Sequence, residues 1–68
     1  MKGVVRWFNP EKGYGFISNY EEAEEDIFVG RLDIKSHNEY KSLKEGDIVE
    51  FILGNNTKGL CAKEVIKV

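Results

Sequence analysis

Five short runs of β-forming residues, separated by turn signals, constrain the fold of this 68-residue chain more than any other feature. Residues 9–13 divide the first two runs and contain Asn, Pro and Gly, the residue types that turns favour. Residues 45–47 predict a further turn and residues 54–59 a hairpin loop. The predicted strands occupy residues 4–8, 14–18, 26–30, 48–53 and 60–68.

The segments between these runs do not support a long helix. Residues 20–26 are too short for a stable isolated helix, and residues 31–44 lack an apolar stripe at helical spacing. We therefore interpret 31–44 as a long connection with room for one short helical turn. Five strands joined in this way predict an all-β fold, a small five-stranded antiparallel barrel that comprises residues 1–68 as one domain.

Alternation along the strands predicts which side chains face the core, because successive strand residues point to opposite faces. A consistent assignment places aliphatic residues of three strands and one phenylalanine inside the barrel. These inward residues are Ile17, Ile27, Val29, Val49, Phe51 and Leu53. The same assignment leaves Tyr14, Phe16 and Phe28 together on the outer surface. A domain of about 60 residues buries only about 60% of its unfolded surface, so three exposed rings require an explanation.

The segment KGYGF, residues 12–16, offers one. An aromatic surface beside Lys12 is suited to unpaired bases, because base–aromatic stacking contributes roughly 1–3 kcal/mol per base. We expect Gly13 and Gly15 to remove side chains that would keep a base from lying flat on the rings. Trp7 and Tyr40 are candidates for additional rings, whereas the residues alone leave Phe8 open between core and surface.

Charge is unevenly distributed along the chain, whose net charge is −2. Five of the twelve acidic residues lie within residues 21–26, whereas residues 1–20 carry Lys2, Arg6 and Lys12 against Glu11 alone. The acidic run is either a solvated loop or a barrier that repels phosphate from one side. The excess of positive charge in residues 1–20 favours contacts with phosphate groups.

Motifs of catalysis, metal binding and membrane insertion are weak or missing in the sequence. A single Cys61 and a single His37 cannot form an internal disulfide or a His/Cys metal cluster. The pair Gly13 and Gly15 lacks the third glycine and the helix of a dinucleotide motif. We therefore expect no enzyme activity, no cofactor and no metal. The chain shows no signal segment and no membrane span, so a reducing, cytoplasmic location is expected.

Four segments together resemble the cold-shock protein family over essentially the whole chain. They are residues 5–9, 11–17, 26–29 and 43–51, the second of which is similar to the family's first ribonucleoprotein motif. The resemblance implies an OB-type barrel that binds single-stranded RNA and DNA, as an RNA chaperone or cold-shock-type regulator. It assigns base stacking to Trp7, Phe8, Tyr14, Phe16, Phe28 and Tyr40. It assigns phosphate or base-edge contacts to Arg6, Lys12 and Lys58.

The chain departs from the family pattern at Gly30 and Arg31, where the family usually has His-Phe. Arg31 is either a solvated charge or a partial substitute, because a guanidinium can stack on a base and pair with phosphate. A different class of function, a small-barrel protein-interaction module with a peptide-binding aromatic groove, stays open as the alternative. We expect a monomer, with a strand-swapped dimer as the second option.

Overall fold

The computed structural model describes residues 1–21, 26–35, 42–57 and 59–68. Within them it contains five strands and a single 3-10 turn, Arg31–Asp33, in the predicted long connection. The described part of the chain has no helix with the length and hydropathy of a membrane crossing. The strands are β1 Lys2–Asn9, β2 Tyr14–Asn19, β3 Ile27–Gly30, β4 Ile48–Asn56 and β5 Gly59–Lys67. The loop between β4 and β5 is shorter than predicted, because β4 continues to Asn56.

The strands close into a barrel in the order β1-β2-β3-β5-β4, which confirms the predicted five-stranded β-barrel. Four neighbouring pairs are antiparallel, but β3 and β5 are parallel, with Phe28 opposite Cys61 and Val29 opposite Ala62. The expectation of a purely antiparallel barrel was therefore wrong for this one pair. The reason is topological: an odd number of strands in a closed ring cannot alternate in direction at every neighbour.

Most of the predicted inward residues form the core. Ile17, Ile27, Val29 and Val49 are fully buried, and Phe51 is 3% exposed. The described core also contains residues that the alternation did not assign. These are Val5, Ile34, Leu43, Ala62 and Val65.

The assignment of Leu53 to the core was wrong, since its side chain is 37% exposed. β1 pairs with β4 only as far as Glu50. One residue further, the Phe51 amide donates to the Met1 carbonyl oxygen and the Met1 ammonium donates to the Phe51 carbonyl oxygen, each at 2.8 Å. Beyond that point β5 is the only described strand that pairs with β4. A β-bulge in β5, where Glu64 adopts a positive φ of 51°, also bends the hairpin. Leu53 therefore lies on a part of β4 that pairs with β5 but not with β1.

A β-bulge in β1 reverses the alternation of that strand. Val5 lies opposite Ile17 and both are buried, but Trp7 lies opposite Phe16, so Arg6 is an extra residue on β1. A bulge of this kind re-aims the side chains that follow it. Without it Trp7 would point into the barrel with Val5, whereas with it Trp7 points outward.

Gly15 allows β1 and β2 to approach each other closely beside this bulge. A Cβ atom built on Gly15 would overlap the carbonyl oxygen of Trp7 and come within 2.6 Å of Phe8 Cα. Gly15 is buried on the inner face, opposite Phe8, and Gly13 adopts a positive φ of 76° in the turn. Clearing space for a base was therefore the wrong explanation for these two glycines, which serve the strand contact and the turn.

The turn before β4 fixes the middle of β1. The Val5 amide donates to the Asp47 carbonyl oxygen at 2.9 Å, and the Gly46 amide donates to the Val5 carbonyl oxygen at 2.8 Å. The Asp47 carboxylate accepts from the Lys44 amide at 2.8 Å and pairs with the Lys67 ammonium at 3.2 Å. Slight burial raises the pKa of Asp47, but these hydrogen bonds and nearby positive charges outweigh it, so the pKa is lowered.

We predict that Gly15→Ala destabilises the fold and that Gly30→Ala does not. Overpacking of this kind costs about 1–3 kcal/mol or more, because backbone atoms are in the way and cannot rotate aside. Gly30 is the matched control: its φ is −104°, and its added Cβ would meet only Phe28 Cε1 at 3.7 Å and Asp33 Oδ2 at 4.0 Å. Urea unfolding measures both. Equal stability of the two variants would contradict the close strand contact.

Candidate nucleic-acid interface

Four aromatic side chains lie together on the outer face of β1, β2 and β3. Trp7 on β1 is the cross-strand partner of Phe16 on β2, and Phe16 is in turn the partner of Phe28 on β3. Tyr14 begins β2 and lies opposite Gly30. Directly opposed side chains on a sheet lie close enough to interact. We refer to Trp7, Tyr14, Phe16 and Phe28 as the four-ring cluster.

The rings of this cluster contact one another in a closed circuit. Trp7 and Phe16 are stacked at 6.3 Å between ring centroids, and Tyr14 and Phe28 at 5.8 Å. Edge contacts join the two stacks, Trp7 with Tyr14 at 5.5 Å and Phe16 with Phe28 at 6.0 Å. Pairs at such distances contribute about 0.5–1.5 kcal/mol beyond burial. These contacts hold the rings against one another.

The cluster is open to solvent. Trp7 is 43% exposed, Phe28 39% and Phe16 36%, and Tyr14 is half-buried. By contrast the core residue Phe51 is only 3% exposed. The predicted outward direction of Tyr14, Phe16 and Phe28 therefore agrees with the structure, and Trp7 joins them through the β1 bulge.

Two of the predicted cations flank the cluster on β1 and the turn after it. Arg6 occupies the bulge next to Trp7, with Nη1 at 3.7 Å from Asp26 Oδ1 and both side chains more than half exposed. An exposed pair of this kind is weak. Lys12 is exposed in the turn before Tyr14, where the Asn9 side-chain oxygen accepts from the Lys12 amide at 3.1 Å.

Arg31 lies against the same turn as Lys12. Its amide donates to the Gly13 carbonyl oxygen at 2.8 Å. A Cβ on Gly13 would lie 3.7 Å from Arg31 Nε and 3.8 Å from Cζ, so the guanidinium extends along the turn next to Tyr14. The exposed cation is thus adjacent to the four-ring cluster.

A cleft beside Phe28 contains residues that the sequence did not indicate. It has a volume of about 560 Å³ and lies between the cluster and the β4–β5 hairpin. Its walls combine apolar and polar side chains: Phe16, Phe28, Leu60, Asp26, Asn56 and Thr57. Only the parallel pairing of β3 with β5 brings Leu60 near Phe28, so no local pattern could have revealed this wall.

Three of the predicted site residues lie apart from the cluster or cannot be placed. Phe8 is half-buried and packs against the core, because the bulge turns it inward as it turns Trp7 outward. Tyr40 and Lys58 lie outside the described residues. The roles predicted for these three residues stay predictions.

A small closed β-barrel with an exposed aromatic cluster and adjacent cations is the architecture of a single-strand nucleic-acid binder. The sequence matches the family described as the 'Cold-shock' DNA-binding domain over residues 1–68, and the chain belongs to this family. It is therefore a nucleic-acid-binding protein of the cold-shock type.

Individual relatives agree with this assignment. The chain is 46% identical to cold shock-like protein CspI of Escherichia coli K12 over 66 residues, covering 97% of this chain and 91% of the relative. It is 48% identical to cold shock protein CapB of Pseudomonas syringae pv. tomato over 63 residues, covering 93% and 87%. Cold shock-like protein CspE of Escherichia coli K12 is 46% identical over 66 residues, covering 97% and 93%.

We predict that truncating the exposed rings costs less stability than truncating a core ring. Phe51→Ala should lower the free energy of unfolding by about 3–5 kcal/mol, the usual cost of an emptied aromatic site. Phe16→Ala and Phe28→Ala should each cost clearly less, because more than a third of each side chain is already in water. Denaturant titrations of the three variants provide the comparison. Equal losses of unfolding free energy would show that Phe16 and Phe28 contribute to the hydrophobic core as much as Phe51 does.

Proposed function

We propose that the chain binds single-stranded RNA and DNA by stacking unpaired bases on the four-ring cluster. The single observation that carries the proposal is the closed circuit of four mutually packed rings that stay solvent-exposed. Stacking tolerates every base, since every base has a π-face, so the site suits many sequences. That property fits an RNA chaperone or cold-shock-type regulator that keeps strands unpaired.

Cations next to the rings support a nucleic-acid ligand over a peptide. Lys12 and Arg31 are both exposed at the turn that precedes Tyr14, and Arg6 is exposed next to Trp7. Phosphates of a strand whose bases lie on the rings would pass within reach of these side chains. The alternative, a protein-interaction module with a proline-binding groove, gives these charges no role.

The remaining parts of the proposal follow from the same site. The ring cluster offers no nucleophile or acid–base pair, so the proposed role is binding without catalysis, and no cofactor is needed. We propose a monomer, because one barrel carries the whole ring cluster; a strand-swapped dimer is the alternative. The cytoplasmic location expected from the sequence stays a prediction.

We predict strong selectivity for single strands. The bases of a duplex are stacked on one another and cannot lie on the rings, so an oligopyrimidine should bind far more tightly than the duplex of the same sequence. Phe28→Ala should weaken single-strand binding about 5- to 150-fold, the equivalent of 1–3 kcal/mol. Fluorescence anisotropy of a labelled oligonucleotide measures both effects.

The matched control is Ile66→Ala, which truncates a half-exposed apolar residue on β5, opposite Glu50 and outside the cluster. It should leave the affinity unchanged. Equal binding of duplex and single strand, or equal losses for Phe28→Ala and Ile66→Ala, would argue for non-specific attraction and against stacking.

A further prediction concerns Arg31. Arg31→Ala should lower affinity and reduce the slope of log K against log salt by about 0.7, the contribution of one phosphate contact on a single strand. Arg31→Phe restores a ring without the charge, so affinity should be kept or raised while the salt slope still falls. Gly30→His should strengthen binding by adding a stacking surface next to Phe28.

Lys35→Ala is the control for overall charge, because it removes one exposed cation that pairs with Glu64 on another side of the barrel. A change in salt slope as large as that of Arg31→Ala would mean that the whole-molecule charge, rather than Arg31, acts on the ligand. Unchanged affinity and slope in all Arg31 and Gly30 variants would confine the site to the rings and Lys12.

A further inference from the structure

A second exposed ring lies at the far end of the β1–β2 ladder. Tyr20 is 53% exposed, more than any ring of the four-ring cluster. Its amide donates to the Lys2 carbonyl oxygen at 3.0 Å, which extends the ladder by one residue. The Lys2 ammonium lies 4.7 Å from the centre of the Tyr20 ring, within cation–π range.

The strand register places Tyr20 on the same outer face as Phe16. Val5 and Ile17 are partners on the inner face, so alternation assigns the adjacent pair, Val4 and Ser18, to the outer face, where Ser18 is covered and only 6% exposed. The next outward pair in that direction is Lys2 and Tyr20, and in the other direction it is Trp7 and Phe16. Tyr20 is four positions beyond Phe16 along the chain, which corresponds to about 13 Å in a strand.

The surroundings of Tyr20 are those of a shallow polar recess. A recess of about 250 Å³ is lined by Met1, Lys2, Asn19, Tyr20 and Glu21. The Asn19 side-chain oxygen accepts from the Glu21 amide at 2.9 Å, which fixes the amide group next to the ring. Its Nδ2 donates to the Met1 sulfur at 3.6 Å. Because an amide NH2 has two donor hydrogens, the group can also donate to a base-edge acceptor.

We propose that the Lys2–Tyr20 pair is a second stacking site for a base of the strand that occupies the four-ring cluster. This inference rests on the proposed function and deepens it, since it lengthens the bound strand and gives the path that the strand follows beyond the cluster. The strand would leave the cluster at Trp7 and Phe16 and continue along β1 and β2 toward Tyr20. Between the two sites Ser18 is only 6% exposed, and the Arg6–Asp26 ion pair connects β1 with the residue before β3. The strand would therefore pass over this exposed ion pair.

Local charge determines what kind of contact this site makes. Glu21 is exposed next to Tyr20, and Lys2 lies on the ring itself. A phosphate gains little beside that carboxylate, so the site contributes stacking and base-edge hydrogen bonding. Its loss should therefore lower affinity without changing the salt slope, in contrast to the loss of Arg31.

The test compares two oligothymidines, of four and of ten nucleotides, on three forms of the full chain. The wild type should gain affinity with length, and Tyr20→Ala should weaken binding of the ten-nucleotide strand by at least fivefold at an unchanged salt slope. Binding of the four-nucleotide strand, which the cluster can hold alone, should be unaffected. Tyr20→Phe keeps the ring and should bind both strands as the wild type does.

The remaining outcomes separate this inference from the proposed function. Wild-type affinity of Tyr20→Ala for the ten-nucleotide strand would overturn the second site and leave the cluster intact. Equal weakening for both lengths would also overturn it, since Tyr20 would then act through the fold, as a shifted unfolding midpoint would show. Phe28→Ala should weaken both lengths. If the wild type binds neither oligonucleotide, the proposed function itself fails.

Discussion

The close approach of β1 and β2 at Gly15 is the contact on which the outer surface depends. A side chain at this position would overlap the backbone of Trp7 and Phe8, so only glycine permits the pairing. The neighbouring bulge at Arg6 then exchanges the two aromatic residues, with Trp7 outward and Phe8 toward the core. One glycine and one extra residue thus convert a strand with alternating apolar residues into a strand that supplies both the core and the exposed ring cluster.

Exposed rings are expensive in so small a barrel, because few other residues are available for burial. The structure limits the cost by packing the four rings on one another. Each ring is covered on one side by its neighbours, so less apolar surface faces water than four isolated rings would leave. The same contacts restrict the rings, which would lower the conformational entropy lost if a base binds as we propose. In that case one set of contacts would serve both stability and binding.

The distribution of charge around the cluster supports the proposal that stacking, rather than overall charge, dominates binding. The chain has a net charge of −2, and Asp26 lies between Arg6 and the cleft beside Phe28. Cations at Lys12 and Arg31 are concentrated at one turn. Such a surface attracts phosphate locally while the molecule as a whole repels it. If the chain binds as we propose, its affinity for a strand without accessible bases should therefore be low.

The sequence alone determined those features that depend on local periodicity. Two-residue alternation in β2 and β3 is set by the pleat, so it correctly separated Ile17, Ile27 and Val29 from Phe16 and Phe28. The turn signals likewise predicted the number of strands. The resemblance of four sequence segments to the cold-shock proteins indicated the family, and the match over residues 1–68 shows it.

Only the tertiary structure decided the features that arise between strands distant in sequence. The bulge at Arg6 and the steric role of Gly15 depend on how β1 lies against β2, and the exposure of Leu53 depends on where β1 stops covering β4. The parallel pairing of β3 with β5 brings Leu60 and the hairpin to Phe28 and creates the cleft. Each is a property of register and closure, and a pattern within one strand contains no information about the strand beside it.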